Sequence, residues 1–164
     1  AHLVFGFHIP RLIDRNRYSA EIFDSILGGG MSSRLFQEVR EKRGLCYAIK
    51  SSMEQSKDYA YEIIYSGSVK EKVKEIKKII LREITKLGKI EKSDLNEEKE
   101  KLIGSRQINK EKCDLTMIDL LQEEAGGNAG NYYKYEENIN SVKLEEVRKL
   151  SKLKGYSFVS LIPE

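Results

Sequence analysis

Two β-rich segments, LCYAIKSSME (45–54) and DYAYEIIYSGS (58–68), are separated only by the polar turn QSK (55–57), and no other feature of the chain narrows its fold as much. Both are rich in β-branched and aromatic residues, and strands that follow each other so closely favour antiparallel pairing. In the second segment Tyr59, Tyr61, Ile63 and Tyr65 alternate with Ala60, Glu62 and Ile64, which gives the strand one aromatic face. HLVFGFHI (2–9) reads as a further strand ended by Pro10, and YSFVSLI (156–162) as a final one.

The segments between these strands carry helical spacing. In RNRYSAEIFDSIL (15–27), Tyr18, Ile22, Ile26 and Leu27 fall on one face, and Gly28 stands where a helix ends. Ser32 or Ser33 caps a following helix whose interior holds Leu35, Phe36 and Val39. Gly44 closes it after the basic residues Arg40, Lys42 and Arg43. Val69, Val73, Ile76, Ile80, Ile84 and Leu87 recur every three or four residues, the mark of an amphipathic helix with a Lys/Glu outer face. Ser93 or Asp94 caps a second long helical stretch, interrupted near Cys113 and running to about Glu124. GGNAGN (126–131) is a loop, a short helix spans Tyr132 to Glu137, and KLEEVRKLSKL (143–153) is another helix. The order of elements predicts an α+β two-layer sandwich: a mostly antiparallel sheet with helices packed on one face. At 164 residues the chain makes one domain, and its start inside a strand reads as a portion of something longer.

Charge excludes some functions. Charged residues make up 34% of the chain yet the net charge is only +3, because Lys and Glu are interspersed. A nucleic-acid surface needs clustered Lys and Arg, so that class is disfavoured. No apolar run approaches the roughly 18 residues of a membrane span. Cys46 and Cys113 stand far apart in no paired motif, which points to a reducing, cytoplasmic location and against a disulfide framework.

The stretch GGGMSSRLFQEVREKRGLCY (28–47) invites a phosphate-loop reading, but its glycines follow a helix and match neither G-x-x-x-x-G-K-[ST] nor G-x-G-x-x-G. A flexible corner between helices is the better account. The only histidines, His2 and His8, stand about 20 Å apart at roughly 3.3 Å per strand residue, too far to share a metal. H-x-x-E-H, H-E-x-x-H and C-x-x-C are all missing, as is G-x-S-x-G. Cys46 lies in a strand rather than at a helix N-terminus that would favour its thiolate. Arg40 and Tyr47 remain. They stand seven residues apart across the Gly44 turn, which can fold both toward one space, where a guanidinium binds carbonyls or a carboxylate and a phenol donates to a developing oxyanion. From the residues alone, a surface ion pair for Arg40 and a core-facing Tyr47 is the preferred account.

ILGGGMSSRLFQEVREKRGLCYAI (26–49) resembles the signature of the C-terminal, non-zinc half-domain of the insulinase/pitrilysin-type zinc peptidases, in the branch of the mitochondrial processing peptidase and its bacterial relatives. The remainder of the chain is compatible with that half-domain from 1 to 164. The resemblance implies a zinc-dependent metalloendopeptidase whose two half-domains close a chamber around a peptide. The other half, in the same parent chain or on a partner subunit, carries H-x-x-E-H and the zinc. This half binds no metal and no cofactor, and supplies Arg40 and Tyr47 to the substrate. Arg34, also within the signature, is assigned a structural or interdomain role. An inactive structural or assembly subunit of the same fold is the alternative, and a basic binding module built on the Lys-rich helices is a third. The chain alone is expected to hold no zinc and to cleave nothing.

Overall fold

Alternation in HLVFGFH divides the first strand, β1 (His2–His8), as its pattern requires: Leu3, Phe5 and Phe7 are buried while His2, Val4 and His8 are exposed, in a computed structural model that describes residues 1–163. Helix α1 (Arg17–Gly28) follows and buries Ile22, Phe23, Ile26 and Leu27 against the sheet. A π-helical turn, Phe36–Glu41, leads through Gly44 into β2 (Cys46–Gln55), which hairpins to β3 (Ala60–Ser68). The four strands lie in the order β2-β3-β1-β4, every neighbouring pair antiparallel. The expected sheet is therefore found, with β1 and β3 central and β2 and β4 at its edges.

The helical layer continues with α2 (Val73–Leu87), whose Val73, Ile76, Ile80, Ile84 and Leu87 are all buried. These five residues are the periodic set of the sequence, less Val69, which is exposed ahead of the helix. Each such side chain contributes about 1.5–3 kcal/mol on leaving water. Then come α3 (Lys92–Asn109), α4 (Cys113–Ala125), α5 (Tyr135–Ser141), α6 (Leu144–Leu150) and the edge strand β4 (Ser157–Leu161). The break near Cys113 falls where expected, at residues 110–112.

Outer helices α3 and α4 are fastened by polar contacts more than by apolar ones. Arg17 pairs with Glu123, and Arg106 pairs with Asp119 at 2.6 Å. The Arg106 guanidinium also stacks over the rings of Tyr132 and Tyr135, at 5.1 and 4.7 Å. Beneath them Tyr135 donates to the Glu21 carboxylate, whose pKa is raised, by desolvation first.

Three segments differ from their sequence reading. The helix expected after Ser32 or Ser33 is a π turn: the Lys42 amide reaches back to Gln37 and the Leu45 amide to Val39. Widening the turn brings residues four apart into line, so Leu35 and Val39 both enter the core while Phe36 and Arg40 stack outside. The helix expected over 143–153 stops at Leu150, where the Ser151 hydroxyl donates to the Arg148 carbonyl and the chain turns toward β4. The helix expected over 132–137 is a 3-10 turn, Ala129–Lys134, capped by the Asn128 side chain and continued by α5.

With all helices on one face, the other face of the sheet lies open. Val4, Tyr61, Val159 and Leu161 are exposed on it. Among the described residues no helix is long and apolar enough to cross a membrane.

Candidate functional site

The glycine corner sets the geometry that leads to Arg40 and Tyr47. A Cβ on Gly28 would stand 2.1 Å from the Ser51 hydroxyl and 2.8 Å from the Ser51 amide, so only glycine lets the end of α1 rest on β2. The chain then turns through Gly30 at φ 103° and enters the π turn. Ser33 does not cap that turn in the expected way; its hydroxyl donates to the Gly30 carbonyl at 2.6 Å and braces the corner. Arg34 approaches Asp94 at 4.0 Å and ties the corner to α3, in keeping with a structural role.

On the π turn, Glu38 gathers three cations: Lys42 at 2.6 Å, Arg43 at 2.7 Å and Arg82 of α2 at 3.6 Å. The Lys42 and Arg43 hydrogen bonds hold its carboxyl down at about 2. Arg40, one residue past the buried Val39, takes no part in this cluster. It is exposed, stacks over the Phe36 ring at 4.9 Å, and forms no ion pair among the described residues. The surface ion pair preferred from composition is thus replaced by a guanidinium with its fork free. Its field reaches the first residue of β2: burial raises the Cys46 pKa, while Ser66 and the charge of Arg40 pull it down.

Tyr47 is the next residue, and a β-bulge decides where it points. Cys46 pairs with Ser68 and Ala48 with Gly67, which leaves Tyr47 as the extra residue in the edge strand. A bulge re-aims one side chain without ending the ladder. Tyr47 is accordingly 61% exposed rather than core-facing, which is the second departure from the reading preferred on composition. The ring lies on Gly67 of β3, where a Cβ would come within 2.4 Å of its Cζ and hydroxyl. Beside it stands Tyr65, whose pKa is raised by desolvation and then by the Tyr47 phenol. The Tyr65 hydroxyl shares a hydrogen bond of 2.8 Å with His2 Nδ1. Arg40 on the π turn and Tyr47 at the start of β2 therefore flank the Gly44 turn, both open to solvent. Gly67, Tyr65 and His2 form a platform that sequence reasoning missed; its one signal was a glycine inside the aromatic strand YSGS, a mark of close approach.

Ordinary van der Waals contact begins near 3.4 Å, so Gly67→Ala is expected to drive the Tyr47 ring back by about 1 Å or more. Because the ring is exposed and can swing, the melting temperature should change little. A crystal structure of the variant checks this; an unmoved ring would show that Gly67 does not place it.

Among the described residues no group of three or more His, Cys, Asp or Glu side chains could hold a metal, and Cys46 and Cys113 are free thiols, one buried and one exposed.

Comparison with known proteins places the fold in a family. The family described as "Peptidase M16 inactive domain" matches residues 1–102. An uncharacterized zinc protease of Rickettsia felis is 31% identical over 153 residues, covering 88% of this chain and 36% of the relative. The uncharacterized zinc protease YmxG of Bacillus subtilis is 29% identical over 157 residues, covering 93% of this chain and 38% of the relative. Among solved structures, a protease from Helicobacter pylori superposes with a TM-score of 0.83 at 19% identity, over 99% of this chain and 41% of the other. The peptidase M16 inactive domain from Pseudomonas fluorescens gives 0.80 at 19% identity, over 99% and 42%. The fold is that of an inactive peptidase-type domain. The chain belongs to the peptidase M16 inactive-domain family. It spans little more than a third of the length of those two zinc-protease relatives.

Proposed function

We propose that this chain is the substrate-positioning half of a zinc metalloendopeptidase, closing over a peptide together with a zinc-bearing half. The observation that supports the reading is the corner itself: in an inactive-domain family member, a bulge and a glycine platform leave the Tyr47 phenol unburied, and across the Gly44 turn Arg40 has no ion pair among the described residues. A buried tyrosine or a paired arginine would have had nothing to offer a ligand. The length of the relatives leaves room for the second half, and the open face of the sheet offers it a surface.

In this reading each group has a separate task. The Arg40 fork donates to a backbone carbonyl of the extended peptide and fixes its register. Tyr47 donates from its hydroxyl to the carbonyl oxygen that gains negative charge as the peptide bond is attacked. Main-chain pairing to the edge of β2 supplies sequence-independent affinity. Processing-peptidase specificity and a cytoplasmic location belong to the same proposal.

Reconstitution tests it. This chain alone is expected to bind no stoichiometric zinc and to leave an unstructured peptide uncut; adding the zinc-bearing half should produce cleavage. In the assembled enzyme Arg40→Ala should lower kcat/KM about tenfold to a hundredfold, chiefly through KM, the loss of one or two charged hydrogen bonds. Unchanged kinetics for Arg40→Ala would leave the chain a structural or assembly subunit.

A further inference from the structure

At the opposite end of β1 from this corner, two hollows of the chain meet. One, of about 490 Å3, opens over Gly6 between Tyr61 and Tyr156, with His8 and Ser157 at its margins. The other, of about 470 Å3, has an apolar floor of Ile9, Pro10, Leu150 and Leu153 and a rim of Lys149, Lys152 and Lys154. His8 and Gly155 belong to the walls of both, so the two form one groove. It runs from the open face of the sheet past the start of β4.

Its walls are firm. Tyr156 stacks on the buried Phe5 at 4.6 Å, and Tyr61 stacks on Tyr59 at 5.7 Å. Its charge has one sign. The segment KLSKLK (149–154) places three exposed lysines within six residues, and among the described residues no acidic side chain lines either hollow. The acids of the preceding helix are engaged elsewhere: Glu145 pairs with Arg148 at 2.9 Å, and Glu146 accepts from the Lys143 amide. Lys77 adds a further cation behind the wall, 4.4 Å from the Phe158 ring. On a chain whose net charge is only +3, this is a local concentration rather than a general excess.

We infer that the groove binds an acidic, extended polypeptide segment. An aromatic or branched side chain fills the hollow over Gly6, carboxylates lie among Lys149, Lys152 and Lys154, and intervening apolar residues cover Leu150 and Leu153. Complementary charge selects the carboxylates, and the apolar floor selects a polypeptide over a phosphate polymer, whose backbone would leave that floor wet. β4 is an edge strand, so its free side can pair with the ligand's main chain. That the segment is part of a protease substrate rests on the function proposed above; the binding itself is a property of this chain and is read without cleavage.

Fluorescence anisotropy on the chain provides the test. The probes are a short labelled peptide of alternating Glu and Leu with one central Phe, its Glu→Gln counterpart, and a single-stranded oligonucleotide of the same length. The Glu peptide is expected to bind about tenfold more tightly than the Gln peptide. It should lose that advantage in K149S/K152S/K154S and near 1 M salt, where the screening length falls to about 3 Å. Lys89→Ser, outside the groove, should change nothing. Gly6→Val projects into the hollow, and its Cβ meets no side chain. It should weaken both peptides while leaving the salt dependence intact. Equal binding of the two peptides, or of wild type and triple variant, overturns the inference, and so does tighter binding of the oligonucleotide. Acidic-peptide binding in a chain whose reconstituted pair cleaves nothing would keep the groove and sink the protease reading. Cleavage with no preference for acidic peptides would do the reverse.

Discussion

Tyr47→Phe, in the enzyme assembled from this chain and its zinc-bearing half, is expected to lower kcat by about a hundredfold or more while KM stays within about twofold. The split follows from the role proposed for the hydroxyl. A donor aimed at an oxyanion meets little charge in the ground state and full charge in the transition state, so its loss appears in kcat. Removing one such donor costs about 2.7–4 kcal/mol where it has been measured in other enzymes. The substitution is a conservative one here because the ring as well as the hydroxyl lies on Gly67; phenylalanine keeps the ring contact and the bulge that presents it. Tyr65→Phe is the comparison. It removes the hydrogen bond to His2 but leaves the Tyr47 hydroxyl, so its effect should be much the smaller. If Tyr47→Phe matches wild type in single-turnover kinetics, the phenol touches no reacting atom and the corner is only structural.

Much of the architecture could be read from the sequence because periodicity reports burial. The alternation in β1 and the spacing from Val73 to Leu87 both reappear as buried faces, since a sheet with helices on one side demands those two periods. Elements held by polar contacts were less legible. The path from α3 through α5 depends on Arg17 with Glu123 and Arg106 with Asp119, pairs 106 and 13 residues apart for which no local pattern exists. The π turn was invisible for a related reason: Leu35, Phe36 and Val39 satisfy an α-helical pattern, and only their packing selects the wider turn. At the candidate site the choice of Arg40 and Tyr47 was legible through the resemblance. Their exposure was not, because one extra residue in β2 determines whether Tyr47 faces in or out, and composition carries no record of a bulge.

Glu62→Gln is expected to stabilise the chain, an unusual outcome for a fully buried position. Glu62 sits on the inner face of β3 beneath α1, with 0% of its surface exposed and neither carboxyl oxygen hydrogen-bonded among the described residues. Asp24 lies beside it, already accepting from the Ser51 hydroxyl. Burial above all, and then the Asp24 carboxylate, push the Glu62 pKa up to about 11 from an ordinary 4.5. Between those two values the folded chain carries a proton that the unfolded chain has released, so stability falls as pH rises through that range. The slope is bounded at about 1.4 kcal/mol per pH unit, which makes about 4 kcal/mol an upper limit at pH 7.5. Glutamine keeps the shape, needs no proton, and can donate its amide hydrogens toward Asp24. Urea midpoints measured from pH 5 to pH 9 should therefore separate steadily, with the variant above wild type by about 2–4 kcal/mol near neutrality and close to it at the acid end. The difference between the two proteins isolates Glu62 from Glu21, whose raised pKa tilts both curves alike. Parallel curves would mean that water reaches the Glu62 carboxylate and that α1 does not seal the sheet at this point.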